Sequence, residues 1–139
     1  MSELNLHKTE ILAEDGTRIR LVYDPEADIL DIFFGENEPA TGVELTDQIL
    51  LRFNQKTKRA ISLMMLDFSI LTERTEYGPR SYPLDKLAEL PEDMQELVLQ
   101  LVTTLPVSRF LKLSHFQVSP TEHIPLTYVD LQPVMTVAQ

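Results

Sequence analysis

Over residues 18–66 apolar side chains return at every second position in short runs separated by polar, turn-forming clusters, which is the period-two signature of β-strands. Strands are predicted over 7–13, 18–23, 29–34, 43–45, 48–53 and 59–66. Asp15-Gly16 supplies the positive φ of a tight hairpin turn, Asp24-Pro25-Glu26-Ala27 a proline-initiated turn, and 54–58 a third turn. The stretch 35–42 is polar, contains Pro39 and reads as a loop. The sequential order of these elements predicts a meander.

One parity of the alternation carries Ile19, Leu21, Tyr23, Leu30, Ile32, Phe34, Ile49, Leu51, Phe53, Ile61, Leu63 and Met65, and is the predicted core face. The other parity carries Ile29, Phe33, Leu50, Met64 and Leu66, interrupted by Arg20, Asp31 and Arg52. A sheet wet on one side alternates more cleanly than this. Burial of a large apolar side chain is worth ~1.5–3 kcal/mol, against a net domain stability of ~5–15 kcal/mol, so both faces are expected to be covered.

The second half changes period. Residues 77–83 form a turn-rich connector, 84–90 predict a short helix, and Pro91-Glu92-Asp93 opens a stronger one with a proline and acids at its positive end. Met94, Leu97, Val98, Leu101, Val102 and Leu105 recur at 3.6-residue spacing before Pro106. Further strands are predicted over 110–118 and 124–131. The expected fold is α+β: an antiparallel β-meander covered by one main amphipathic helix from the C-terminal half. A single domain is expected over 1–139, with 77–139 packed on the meander. The helix covers one sheet face, leaving Ile29, Phe33, Leu50, Met64 and Leu66 as the expected interaction face for a second copy or a protein partner.

Composition narrows the function. At 139 residues with 43% hydrophobic and 24% charged side chains, the chain is long enough for one core and unlike a disordered segment. A formal charge of −10 opposes a phosphate backbone, and the densest basic run, Lys56-Thr57-Lys58-Arg59, falls on a predicted turn, so no nucleic-acid partner is expected. The absence of cysteine excludes disulfides and thiolate chemistry. No basic-then-apolar leader begins the chain, and no uninterrupted apolar stretch reaches the ~18 residues of a membrane span. A cytoplasmic protein without a membrane partner is expected.

Candidate chemistry is sparse. Asp24, Asp28 and Asp31, with Glu26, crowd one hairpin and could offer oxygen ligands to a hard cation, yet lack the EF-hand spacing, and turn chemistry accounts for Asp24 and Asp28. His7, His115 and His123 are not spaced for zinc on one element, although His115 and His123 could meet across a hairpin. Gly-x-Ser-x-Gly, Walker and dinucleotide glycine patterns are missing. No catalytic residue, cofactor or metal is therefore assigned.

The segment Tyr23-Asp24-Pro25-Glu26-Ala27-Asp28-Ile29-Leu30-Asp31-Ile32, with Asp47-Gln48-Ile49-Leu50-Leu51 and the strand 61–66 leading to Ser69, resembles a family of small bacterial proteins, domain-of-unknown-function family 2283. The resemblance spans about 18–69. It implies a small antiparallel meander and carries over no catalytic residue; some members look like antitoxins. Asp31 stands where that family often has an aromatic, Gln48 where it has glycine, and Met64 where it has an acid. The expected function is a non-catalytic interaction module that self-associates as a homodimer. An antitoxin-like role with a protein partner is one alternative. A small ligand-binding protein or enzyme with an acidic or histidine-lined pocket is the other.

Overall fold

The computed structural model describes residues 6–13, 15–75, 78–79, 82–84, 86–119 and 122–129, with backbone alone over 74–75, 78–79, 114–119 and 122–126. Alternation becomes strand close to where expected: β1 His7–Leu12, β2 Arg18–Asp24, β3 Ile29–Phe34, β4 Thr41–Thr46, β5 Ile49–Asn54 and β6 Arg59–Leu66, with β4 taking in Thr41 and Gly42 from the predicted loop 35–42. They form a six-stranded antiparallel sheet in the order β1-β2-β3-β6-β5-β4.

That order corrects the predicted simple meander. β3 pairs with β6, so β4 to β6 are laid down from the far edge inwards. The cause is the connection 35–40. It is not a tight turn, and at ~3.3–3.6 Å per residue it is long enough to cross the ~14 Å to the distant edge. Arg59, at the start of β6, holds this crossing. Its Nη1 donates to the Phe34 carbonyl at 2.6 Å and Nη2 to the Glu36 carbonyl at 2.5 Å. Nη2 also donates to Glu38 Oε2 at 2.6 Å, and Asn54 Nδ2 donates to Glu38 Oε1 at 2.9 Å. These bonds hold the Glu38 carboxyl below its ordinary range, with Arg59 the larger cause and Asn54 the second.

The two tight turns beside the central strands share one construction. In the β2–β3 turn, Asp24 Oδ1 accepts the amides of Glu26 and Ala27, and Asp28 closes the turn with φ 58°. In the β5–β6 turn, Asn54 Oδ1 accepts the amides of Lys56 and Thr57, and Lys58 closes with φ 56°. In each, a side-chain oxygen at the first position, carboxylate in Asp24 and amide in Asn54, imitates a backbone turn. The β1–β2 turn takes its positive φ at Gly16, as its Asp-Gly signal predicts.

Ile19, Leu21, Leu30, Ile32, Phe34, Ile49, Leu51, Phe53, Leu63 and Met65 are buried on one face, as the alternation predicts. Ile61 is the exception within its strand. A bulge opposite Arg52 and Phe53 sets Ala60, not Ile61, against Phe53. Ile61 is 1% exposed yet stands outside the main buried cluster.

After β6 come a one-turn helix α1, Phe68–Leu71, and the short strands β7 Arg74–Thr75, β8 Gly78–Pro79 and β9 Tyr82–Pro83. The predicted short helix at 84–90 contracts to a 3-10 turn, Leu87–Glu89. The principal helix α2 is Glu92–Val102, with Glu92 and Asp93 in its first turn. Its buried stripe, Val98, Leu101 and Val102, shares one cluster with Ile32, Leu51 and Leu63 of the sheet, and the Phe110 ring packs tilted against Phe34 with centroids 6.1 Å apart. The helix stops short of the predicted Leu105. The hydroxyls of Thr103 and Thr104 donate back to the Leu99 and Gln100 carbonyls at 2.8 Å, and Leu105 is left 51% exposed. β10 Leu111–Ser119 and β11 Glu122–Val129 make a hairpin that β9 extends. The predicted strand end at 130–131, with Tyr77, Arg80 and Ser81 of the connector and Asp85 of the predicted short helix, lies outside the described residues.

Candidate interaction face

In a pleated strand, alternate residues face opposite sides, so the register fixes what lies behind the core face. One rank across the sheet is Lys8, Val22, Asp31, Met64, Leu50 and Glu44. The next is Glu10, Arg20, Phe33, Ser62, Arg52 and Gly42. Asp24, Ile29 and Leu66 begin a third. The predicted residues Ile29, Phe33, Leu50, Met64 and Leu66 thus fall on one continuous face. All are half-buried, and none belongs to the main core cluster or packs against it.

Charges interrupt the face at defined places. Arg20 lies over the Phe33 ring, its guanidinium carbon 4.9 Å from the centroid, a cation–π arrangement that shields part of the ring. Arg52 Nη1 makes one long contact, 3.5 Å, to Ser62 Oγ. Asp31 sits on the central strand β3 between Val22 and Met64, with Ile29 and Phe33 before and after it on the same face. Half-burial among these apolar neighbours pushes its carboxyl above the ordinary carboxylate range. Among the described residues, the Asp31 carboxylate has no hydrogen bond and no ion pair.

The carboxylates suggested as a ligand set do not converge. Asp24 is taken up by its own turn. Asp28 accepts the Tyr23 hydroxyl at 2.7 Å on Oδ1 and the Ser69 hydroxyl at 2.6 Å on Oδ2. The Ser69 amide donates to both oxygens, at 3.0 and 3.2 Å. Bonds from Ser69 first, and from Tyr23 as well, draw the Asp28 carboxyl below its ordinary range, while Asp28 in turn raises the Tyr23 phenol. Asp31 projects from the outer face, apart from this group. Among the described residues no group of three or more histidine or acidic side chains is arranged to hold a metal ion.

Of the histidines, His7 is exposed on β1 with its ring 6.1 Å from that of Tyr23. His115 pairs with Pro125 and His123 with Gln117, so these positions are offset in the β10–β11 register rather than directly opposed. Open depressions of about 410 Å³ and 300 Å³ share Glu10 and Arg20 in their walls, and Asp24, Asp28 and Asp31 line neither. Sequence reasoning missed Ser69 and Tyr23 as the partners of Asp28. The one available signal was that both lie in the motif carrying the family resemblance.

The strand register, the Asp28 fastening and the half-buried outer face define a small antiparallel-sheet domain of the α+β class with one main helix. Residues 20–69 match the family described as a protein of unknown function, DUF2283. The match takes in β3 to β6 whole and ends on Ser69, the residue that secures Asp28. No curated protein and no solved structure matches the chain. Among the described residues no helix is long and apolar enough to cross a membrane.

Proposed function

We propose that the protein is a non-catalytic interaction module that self-associates through the outer face of its six-stranded sheet. One observation carries this reading: Ile29, Phe33, Leu50, Met64 and Leu66 are half-buried apolar residues on one sheet face, separate from the core, with Asp31, Arg20 and Arg52 set among them. Completing the burial of such side chains is the general driving force for association, and a second copy provides a surface of the same kind. Six strands at ~4.8 Å spacing and six residues at ~3.3 Å give the whole outer face about 24 Å by 20 Å, or ~480 Å² in projection, the low end of specific interface sizes, with the apolar residues on β3, β6 and β5. The chain acts as one unit in this reading, because one buried cluster joins the sheet to Val98, Leu101 and Phe110.

Sedimentation equilibrium tests it. The wild-type protein is expected to be dimeric at ~10–50 μM, an affinity of about −7 kcal/mol or stronger. Met64→Glu, which sets a charge at the centre of the face, is expected to be monomeric with an unchanged circular dichroism spectrum. A wild-type protein that stays monomeric at 100 μM, a roughly −5.5 kcal/mol limit, removes the proposal.

A further inference from the structure

We propose that the second copy docks so that Arg52 of each chain pairs with Asp31 of the other. The inference rests on the self-association reading and specifies how that face is recognised.

Asp31 is a carboxylate set among Val22, Ile29, Phe33 and Met64 with no cation or donor reaching it among the described residues. Any surface that covers the face must supply a countercharge or leave a desolvated anion unpaired, an arrangement costly enough to prevent docking. An uncharged apolar partner is therefore a poor occupant, and a second copy is a good one, since each face carries both the anion and available cations. Arg20, the nearer cation within the chain, is occupied over Phe33. Among the described residues Arg52 makes only its long contact to Ser62, and its planar fork suits bidentate pairing with a carboxylate.

The register gives the symmetry. Arg52 lies on β5, two strands from Asp31 on β3 and one rank along, with β6 between them. The midpoint falls over β6 between Ser62 and Met64. A two-fold axis there, lying in the plane of the interface, exchanges the two positions and brings Met64 near Leu50 of the second copy. The operation produces two equivalent Asp31–Arg52 pairs, as an isologous interface requires.

A charge-exchange experiment tests the pair. Asp31→Arg and Arg52→Asp are each expected to weaken the dimer roughly 30-fold or more, because each places like charges opposite one another at both sites. An equimolar mixture of the two variants restores opposite charges at both sites and is expected to form a heterodimer near wild-type affinity. Sedimentation equilibrium reads the association, and thermal melts monitored by circular dichroism verify that both variants are folded. A monomeric wild-type protein overturns the self-association reading itself. A dimeric wild-type protein whose single variants remain dimeric, or whose mixed variants remain monomeric, overturns the Asp31–Arg52 pair alone.

Discussion

Asp28 and Ser69, 41 residues apart, are joined by both the hydroxyl and the amide of the serine, so the β2–β3 turn is fastened to the first turn of α1. Both sides of the joint are conformationally demanding. Asp28 has φ 58°, and Asp67, immediately before α1, has φ 52°. The Asp28 carbonyl also accepts the Phe68 amide at 3.0 Å, and the Phe68 ring lies 5.6 Å from that of Tyr23. The hairpin acids that look like a ligand set are thus divided between turn formation and this joint.

Ser69→Ala removes the hydroxyl but keeps the amide bonds, and is expected to cost ~1 kcal/mol; Asp28→Ala removes the carboxylate and is expected to cost ~2 kcal/mol. The pH dependence distinguishes this joint from simple packing. The Asp28 pKa is lowered on folding, so its contribution is present above the ordinary value of 3.8 and is lost as pH falls through the lowered folded value. In Ser69→Ala the folded pKa moves back towards the ordinary value. Urea unfolding across roughly pH 2–5, the range of carboxylate titration, is expected to show a smaller acid-linked loss in the variant, complete at a higher pH than in the wild type.

The matching turns provide an internal control. Lys58 and Asp28 occupy equivalent positions with nearly equal φ, 56° and 58°, but among the described residues no side-chain hydrogen bond of Lys58 corresponds to the Asp28 joint. A left-handed residue costs roughly 1–2 kcal/mol unless it is glycine, whose own flexibility returns ~0.5–1 kcal/mol of that gain. Lys58→Gly is therefore expected to be neutral or stabilising by up to ~1 kcal/mol. Asp28→Gly is expected to destabilise despite the same backbone relief. Equal effects from the two glycines in chemical denaturation would show that the backbone, not the joint, governs Asp28.

What could be read from the sequence follows from the range of each interaction. Strands β3 and β6 lie where alternation places them, because side-chain parity is local information. The pairing of β3 with β6 was not readable. Every strand from β2 to β6 presents the same apolar parity, and nothing local distinguishes one neighbour from another. The predicted face Ile29, Phe33, Leu50, Met64 and Leu66 follows from parity alone, whereas the solitude of Asp31 depends on Arg20 turning onto Phe33, a choice of side-chain conformation. Leu105 continues the apolar period, but period takes no account of the threonine hydroxyls that close α2 before it. Ser69 has no local reason to meet Asp28.

Arg59 makes the non-sequential topology testable. It bonds the Phe34 and Glu36 carbonyls and the Glu38 carboxylate at once, a set that needs the several donors of a guanidinium fork. Arg59→Lys keeps the charge but offers a single nitrogen, so it is expected to loosen the 35–40 crossing almost as much as Arg59→Met. Amide exchange in that segment is expected to quicken in both variants, with β2 and β3 core amides little changed. If lysine restored wild-type protection, charge alone would hold the loop.

Asp31 predicts the opposite pH response from Asp28. At submicromolar protein, mass action keeps copies apart and the outer face stays open. Burial raises the Asp31 pKa above its ordinary 3.8, so the folded chain binds this proton more tightly than the unfolded one. The resulting stability is fully present below 3.8 and is lost as pH rises through the folded value. The neighbouring elements bear on the sign. Arg20 and Asp24 flank Val22 on β2, while β6 presents Ser62, Met64 and Leu66, none of which carries charge. Asp31→Asn is therefore expected to stabilise the isolated chain slightly at pH 7, with the gain vanishing in acid. Because the amide cannot answer Arg52 as a carboxylate does, the same variant is expected to weaken the dimer at high concentration. Opposite signs in the two measurements would separate a cost of burial within one chain from a gain made between two. A variant less stable than wild type at pH 7 in the dilute measurement would show that Asp31 is satisfied within its own chain.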